Sequence, residues 1–133
     1  MLAGGSVIYL VLGSLHLWYT FFSEKFRTHN PAVEEAMKQT SPRLTKLTTM
    51  WKAWIGFNAS HSTGAMFFGF MILYFSMAGF QMFRESVLLQ SAILLNTFFY
   101  VWLGKVYWFR IPYGGIVAAT ICFSMAILLF YLS

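Results

Sequence analysis

Mainly apolar residues fill four long stretches, about 3 to 23, 51 to 77, 86 to 109 and 112 to 132, separated by three more polar connections. A hydrocarbon core of about 30 Å takes roughly 20 residues of helix, so each stretch is long enough to cross a membrane. The pattern predicts an all-α polytopic integral membrane protein, an antiparallel four-helix transmembrane bundle forming one domain over residues 1–133. The second and third connections, near Gly79–Glu85 and Arg110–Gly114, are short, which makes the last three helices antiparallel neighbours.

The first connection, about residues 24–50, is too long for a turn and holds most of the charge. Asn30-Pro31 and Ser41-Pro42 each place a capping side chain before a proline suited to the first helical position, so two helix starts are expected there. The first helix is short and interfacial, with Val33, Ala36 and Met37 on one face and a Glu34–Lys38 pair at i,i+4. The second is expected to run straight into the second spanning helix, because Leu44, Leu47 and Trp51 continue an apolar face at i, i+3 and i+7.

Composition then removes whole classes of function. The chain is 59% apolar, 20% aromatic and only 10% charged, whereas a soluble domain carries roughly 25% charged residues; a soluble enzyme is excluded. The single Cys122 allows no intramolecular disulfide and no zinc cluster. No basic segment precedes the first apolar stretch, so that helix is expected to stay in the mature protein.

Charge sets an orientation. Lys25, Arg27, Lys38, Arg43, Lys46, Lys52, Lys105 and Arg110 flank the first and third connections, and only Arg84 flanks the second. By the positive-inside rule the long connection faces the cytoplasm, with both termini outside it, in a bacterial inner membrane. Trp18, Trp51, Trp54, Trp102 and Trp108 fall at the same helix ends, where indole rings favour the headgroup boundary. The partner implied for Lys25, Arg27, Arg43, Lys46, Lys52, Lys105 and Arg110 is an anionic phospholipid surface, not nucleic acid.

Polar residues within the apolar stretches carry the remaining information, since they are costly in hydrocarbon and turn toward partners or cavities. Gly5, Tyr9, Gly13, His16, Thr20 and Ser23 share one face of the first helix. Trp51, Trp54, Asn58, His61 and Ala65 share a face of the second, and Gly56, Ser60 and Gly64 form a small-residue series opposite, suited to close approach of another helix. Asn96, Tyr100, Gly104 and Tyr107 line the third. Gly115, Ala118, Ala119, Cys122 and Ala126 make a small-residue packing seam on the fourth, with Gly115 and Ala119 expected at a helix-packing interface. A rise of 1.5 Å per residue puts His16, Asn58 and His61 roughly 9–14 Å from the cytoplasmic boundary, with Asn96 deeper. They are expected to meet in a polar pocket beneath the long connection.

Several chemistries suit this constellation: contacts that fix helix register, a site for a lipid, quinone or other lipophilic ligand, axial ligation of haem b by His16 and His61, or a proton relay. Catalysis lacks its parts. Every carboxylate lies at a helix end or in a loop, and the serines near His61 carry no oxyanion-hole or triad signature. No catalytic or metal-binding residue is assigned.

Three segments, Gly13-Ser14-Leu15-His16-Leu17 followed by Thr20-Phe21-Phe22, Pro31-Ala32-Val33-Glu34-Glu35-Ala36-Met37, and Trp54-Ile55-Gly56-Phe57-Asn58 followed by Ser60-His61-Ser62-Thr63-Gly64, resemble a family of small four-helix bacterial membrane proteins without an established activity. The resemblance spans the first half of the chain and implies fold and membrane location alone. The function expected is that of a non-catalytic accessory or stabilising subunit packed against a larger membrane complex or against itself. The alternative is a binding protein or small enzyme for a lipophilic ligand at His16, Asn58 and His61.

Overall fold

A computed structural model of the protein describes residues 1–132. Six helices account for its regular structure, with no strand among the described residues: α1 Leu2–Phe22, α2 Pro31–Gln39, α3 Met50–Met77, α4 Phe80–Glu85, α5 Val87–Tyr107 and α6 Arg110–Leu132. α1, α5 and α6 are long and apolar enough to cross a membrane. α3 is the longest helix at 28 residues, yet it does not join them by composition, because Lys52, Asn58, Ser60, His61, Ser62 and Thr63 crowd its first half.

Two features of the connections differ from expectation. No helix begins at Pro42: residues 40–49 stay irregular, Leu44 and Leu47 are almost fully exposed, and α3 starts only at Met50. Local hydrogen bonding explains the delay. The Thr45 hydroxyl accepts from the Leu47 amide at 3.1 Å, and Thr49 provides the α3 cap, accepting from the Lys52 amide at 3.3 Å. Threonines that bond their own neighbourhood compete with helix and favour its start over its interior. The second difference is α4, a short helix inside what the sequence reads only as a short connection; it carries Phe83, fully buried against Phe75 and Phe130. By contrast α2 begins at Asn30-Pro31 as its sequence dictates, with the Asn30 carboxamide accepting from the Ala32 amide at 3.0 Å.

The chain divides into two compact units, Met1–Leu12 with Ala65–Ser133, and Gly13–Gly64. In the first, the Tyr9 ring meets Phe68 of α3, Tyr100 of α5 and Phe123 of α6 at centroid distances of 4.9, 5.7 and 6.1 Å. Small residues allow this approach. A Cβ added at Gly69 would lie 2.9 Å from the Ser6 carbonyl oxygen, and one at Gly115 would lie 2.9 Å from Leu12 Cδ1. Ala119 is wholly buried on the same α6 seam. Only Trp108 and Phe109 separate α5 from α6, forming a hairpin in which Gly104 packs under Tyr113. The second unit holds the end of α1, the long connection with α2, and the start of α3.

Candidate functional site

In the second unit the helical period of α1 and of α3 brings His16 and Asn58 into hydrogen-bond contact, His16 Nε2 to Asn58 Oδ1 at 2.9 Å. The direction of this bond follows from its neighbour. Asn58 Nδ2 donates to the Trp54 carbonyl at 2.8 Å, a bond only the amide nitrogen can make, so Oδ1 faces His16 and Nε2–H is the donor. The chain of bonds continues outward: the Trp54 indole N–H donates to the Phe26 carbonyl at 3.1 Å. The Phe26 ring then returns to lie on His16, with centroids 4.4 Å apart. His61 closes the group edge-to-face with His16 at 5.3 Å.

His16, Asn58, Trp54 and Phe26 therefore form a closed clasp that fastens the turn after α1 to the start of α3. The neighbouring hydroxyls are already committed to backbone, Thr20 to the His16 carbonyl at 2.8 Å and Ser62 to the Asn58 carbonyl at 2.7 Å. The sequence places His16, Trp54, Asn58 and His61 on the right faces but does not bring Phe26 to them or show the Trp54 indole bond to it. Phe26 lies in the charged run Glu24-Lys25-Phe26-Arg27, where a lone aromatic residue is the one signal that something packs. Trp54 was assigned to the headgroup boundary, without its bond to the connection. Asn96, expected beside these residues, belongs to the other compact unit, half-buried on α5.

An open cavity of about 420 Å³ lies a turn further along α1, lined by Thr20, Phe21, Phe22, Phe26, Trp51 and Ile55 together with Ser23, Glu24 and Arg27. Arg27 is paired there with Glu24 at 2.9 Å and, more loosely, with Glu34 at 3.7 Å. Glu34 also accepts from Lys38 at 2.7 Å. This hydrogen bond, reinforced by the charges of Arg27 and Lys38, outweighs partial shelter and holds the Glu34 carboxyl below its ordinary value of 4.5. Lys38 reaches the Trp51 ring at 5.5 Å, tying α2 to α3.

The small residues fall into two sets. Gly115 and Ala119 are used inside the first unit, as described above. Gly56 and Gly64 belong to the second unit: among the described residues no neighbouring heavy atom lies within 4 Å of a Cβ built on either, and Ser60 between them is exposed. Of the seven basic residues assigned to the membrane surface, Lys25 and Arg27 follow α1, Arg43 and Lys46 lie in the irregular segment, Lys52 opens α3, Lys105 closes α5 and Arg110 opens α6; all are exposed.

Gln90 was missed altogether. Buried in the first turn of α5, it donates to the Phe83 and Arg84 carbonyls at the end of α4, at 3.0 and 2.8 Å, and accepts from the Tyr131 hydroxyl at 2.7 Å. Among the described residues no group of three His, Cys, Asp or Glu side chains is placed to hold a metal ion. The fold thus defines an all-helical protein with three helices able to span a bilayer. No protein-family model matches the chain, and neither a curated protein nor a solved structure matches it.

Proposed function

We propose that the protein is a small integral membrane subunit, non-catalytic, that packs through one face of α3 against a larger membrane complex or a second copy of itself. The observation that carries this reading is the open face Gly56-Ser60-Gly64. The chain uses Gly5, Gly69, Gly104 and Gly115 for contacts so close that a Cβ would crowd a neighbour, whereas among the described residues no neighbouring atom lies within 4 Å of a Cβ built at Gly56 or Gly64. Exposed Phe57 and Phe67 lie near this stripe. In hydrocarbon such small-residue stripes allow helix backbones to approach and pack.

In this reading α3 is a fourth span, making a four-helix transmembrane bundle, because its polar groups are satisfied internally. Ser60 donates to the Phe57 carbonyl at 3.1 Å, Thr63 to that of Ser60 at 3.0 Å, and Asn58 is engaged on both sides; polar groups so paired are tolerated in a bilayer. The same reading sets the long connection at the cytoplasmic face of a bacterial inner membrane, against anionic headgroups, with both termini on the other side; the clustering of basic residues supports it by the positive-inside rule. The resemblance to small four-helix bacterial membrane proteins agrees with this assignment.

The alternative, a lipid, quinone or haem held by His16, Asn58 and His61, asks these residues to give up present contacts. Haem ligation by both histidines would require rings 5.3 Å apart to part around an iron and Phe26 to leave the His16 face. Purification of the tagged protein from native membranes in mild detergent, with mass spectrometry of co-purifying chains and an absorption spectrum, separates the two. A stoichiometric membrane partner or self-association without a chromophore is expected. A chain recovered alone with a Soret band or a tightly held quinone or lipid overturns the subunit reading.

A further inference from the structure

We infer that residues 40–50 form a closed, membrane-inserting finger that reads anionic phospholipid, with Leu44 and Leu47 entering the acyl boundary and Arg43 and Lys46 holding the headgroups. The inference deepens the membrane reading above and rests on it. The finger is built, not loose. Its base is closed by the Met50 amide donating to the Thr40 carbonyl at 2.8 Å, and its interior by the Thr45 amide on the Pro42 carbonyl at 3.3 Å and the Leu47 amide on the Thr45 hydroxyl at 3.1 Å.

What this scaffold presents is two leucines 93% and 95% exposed, the most exposed of the large apolar side chains. A leucine left this far from any neighbour gains nothing from folding, and apolar groups leave water for a bilayer as readily as for a core. The charges beside them choose the lipid. Arg43 and Lys46 are exposed and in no ion pair among the described residues. Moreover, no carboxylate occurs between Glu35 and Glu85, a segment that also carries Lys38 and Lys52. Cations placed one residue before each leucine meet phosphate as the leucines enter the acyl region, and anionic lipid strengthens both contacts. The same cations disfavour an apolar protein groove, which would have to bury them.

The test uses the full chain with Cys122→Ala and single cysteines at Leu44, Lys46 or Leu47, each carrying an environment-sensitive fluorophore. These are reconstituted in nanodiscs of phosphatidylcholine alone or mixed with phosphatidylglycerol. Ile121→Cys and Leu95→Cys, on exposed apolar faces of α6 and α5, report whether the helices themselves are in lipid. The expected result is blue-shifted emission at 44 and 47, several-fold protection from iodide and quenching by lipid-borne nitroxide, all stronger with phosphatidylglycerol, while position 46 stays open to iodide. Arg43→Gln with Lys46→Gln should abolish the difference between the two lipids. Iodide access at 44 and 47 with 121 and 95 in lipid overturns the finger and leaves the membrane reading standing. Shielding of 44 and 47 from both quenchers assigns the finger to a protein contact and also overturns it. Iodide access at 121 and 95 overturns the membrane reading itself.

Discussion

At the residue scale, the two polar groups that matter most to packing have opposite fates. Asn58 is engaged twice, accepting from His16 and donating to Trp54, whereas the Tyr9 hydroxyl is buried with no hydrogen-bond partner among the described residues. An unpaired buried hydroxyl costs free energy that its removal returns. Tyr9→Phe keeps the ring contacts with Phe68, Tyr100 and Phe123, so it should stabilise the protein by on the order of 1 kcal/mol, measured as a raised unfolding midpoint in detergent. A lower midpoint would mean the hydroxyl has a partner after all. For the clasp the sign reverses. Asn58→Leu leaves the His16 Nε2–H unpaired and should cost about 1 kcal/mol, near the upper part of the range for interhelical bonds in membranes. His16→Ala with Asn58→Leu should then cost less than the sum of the two, and full additivity in that double-mutant cycle would show that the bond contributes nothing.

At the scale of elements, what was legible in the sequence is what hydrophobic period and capping chemistry dictate. α1, α3, α5 and α6 lie close to their expected bounds, and Asn30-Pro31 starts α2 where such a pair should. Ser41-Pro42 carries the same signal and starts nothing, because the threonines that follow satisfy the backbone locally before a helix can propagate. The buried Phe83 of α4 was illegible for another reason: six residues are too few for a period to declare itself. Gln90 hid because a polar residue in a first turn is unremarkable until its bonds to Phe83, Arg84 and Tyr131 are seen. The candidate site was legible where helical spacing fixed it, at His16, Asn58 and His61, but not where an irregular segment supplied Phe26. Each element carries a test. Gln90→Leu should remove the side-chain donor from the Phe83 and Arg84 carbonyls and make the Phe80–Glu85 amides exchange faster than in the parent, with α5 exchange little changed. For α2 the titration of Glu34 decides. Its folded pKa lies below 4.5, so its contribution is complete above that value and is lost as pH falls through the lower, folded one. Amide exchange in α2 should accelerate on acidification across this window, and Glu34→Gln should remove the pH dependence while leaving α2 more labile at neutral pH.

At the scale of the whole molecule, the surface is what separates this chain from a self-sufficient domain. Leu95, Phe57, Phe67, Phe98 and Leu128 are all at least half exposed, and soluble monomers rarely show apolar area on this scale. Lipid accounts for bulky side chains on such a surface, since acyl chains conform to them. It does not account for Gly56 and Gly64, where a glycine has nothing to make room for and is a poorer helix former than alanine by nearly 1 kcal/mol. Their presence is rational if another backbone approaches there. Enlarging either therefore has two separable consequences. Gly56→Leu and Gly64→Leu should leave the isolated protein as stable as the parent or slightly more so, because propensity improves and no neighbour is struck. The same variants should lose the co-purifying partner, or the cross-linked dimer, in native membranes. Leu in place of Gly69 is the control: with the Ser6 carbonyl 2.9 Å from its Cβ, that substitution should destabilise the chain itself. If Gly56→Leu and Gly64→Leu instead keep full assembly, the open stripe is not an interface, and association must be sought on the exposed apolar faces of α5 and α6.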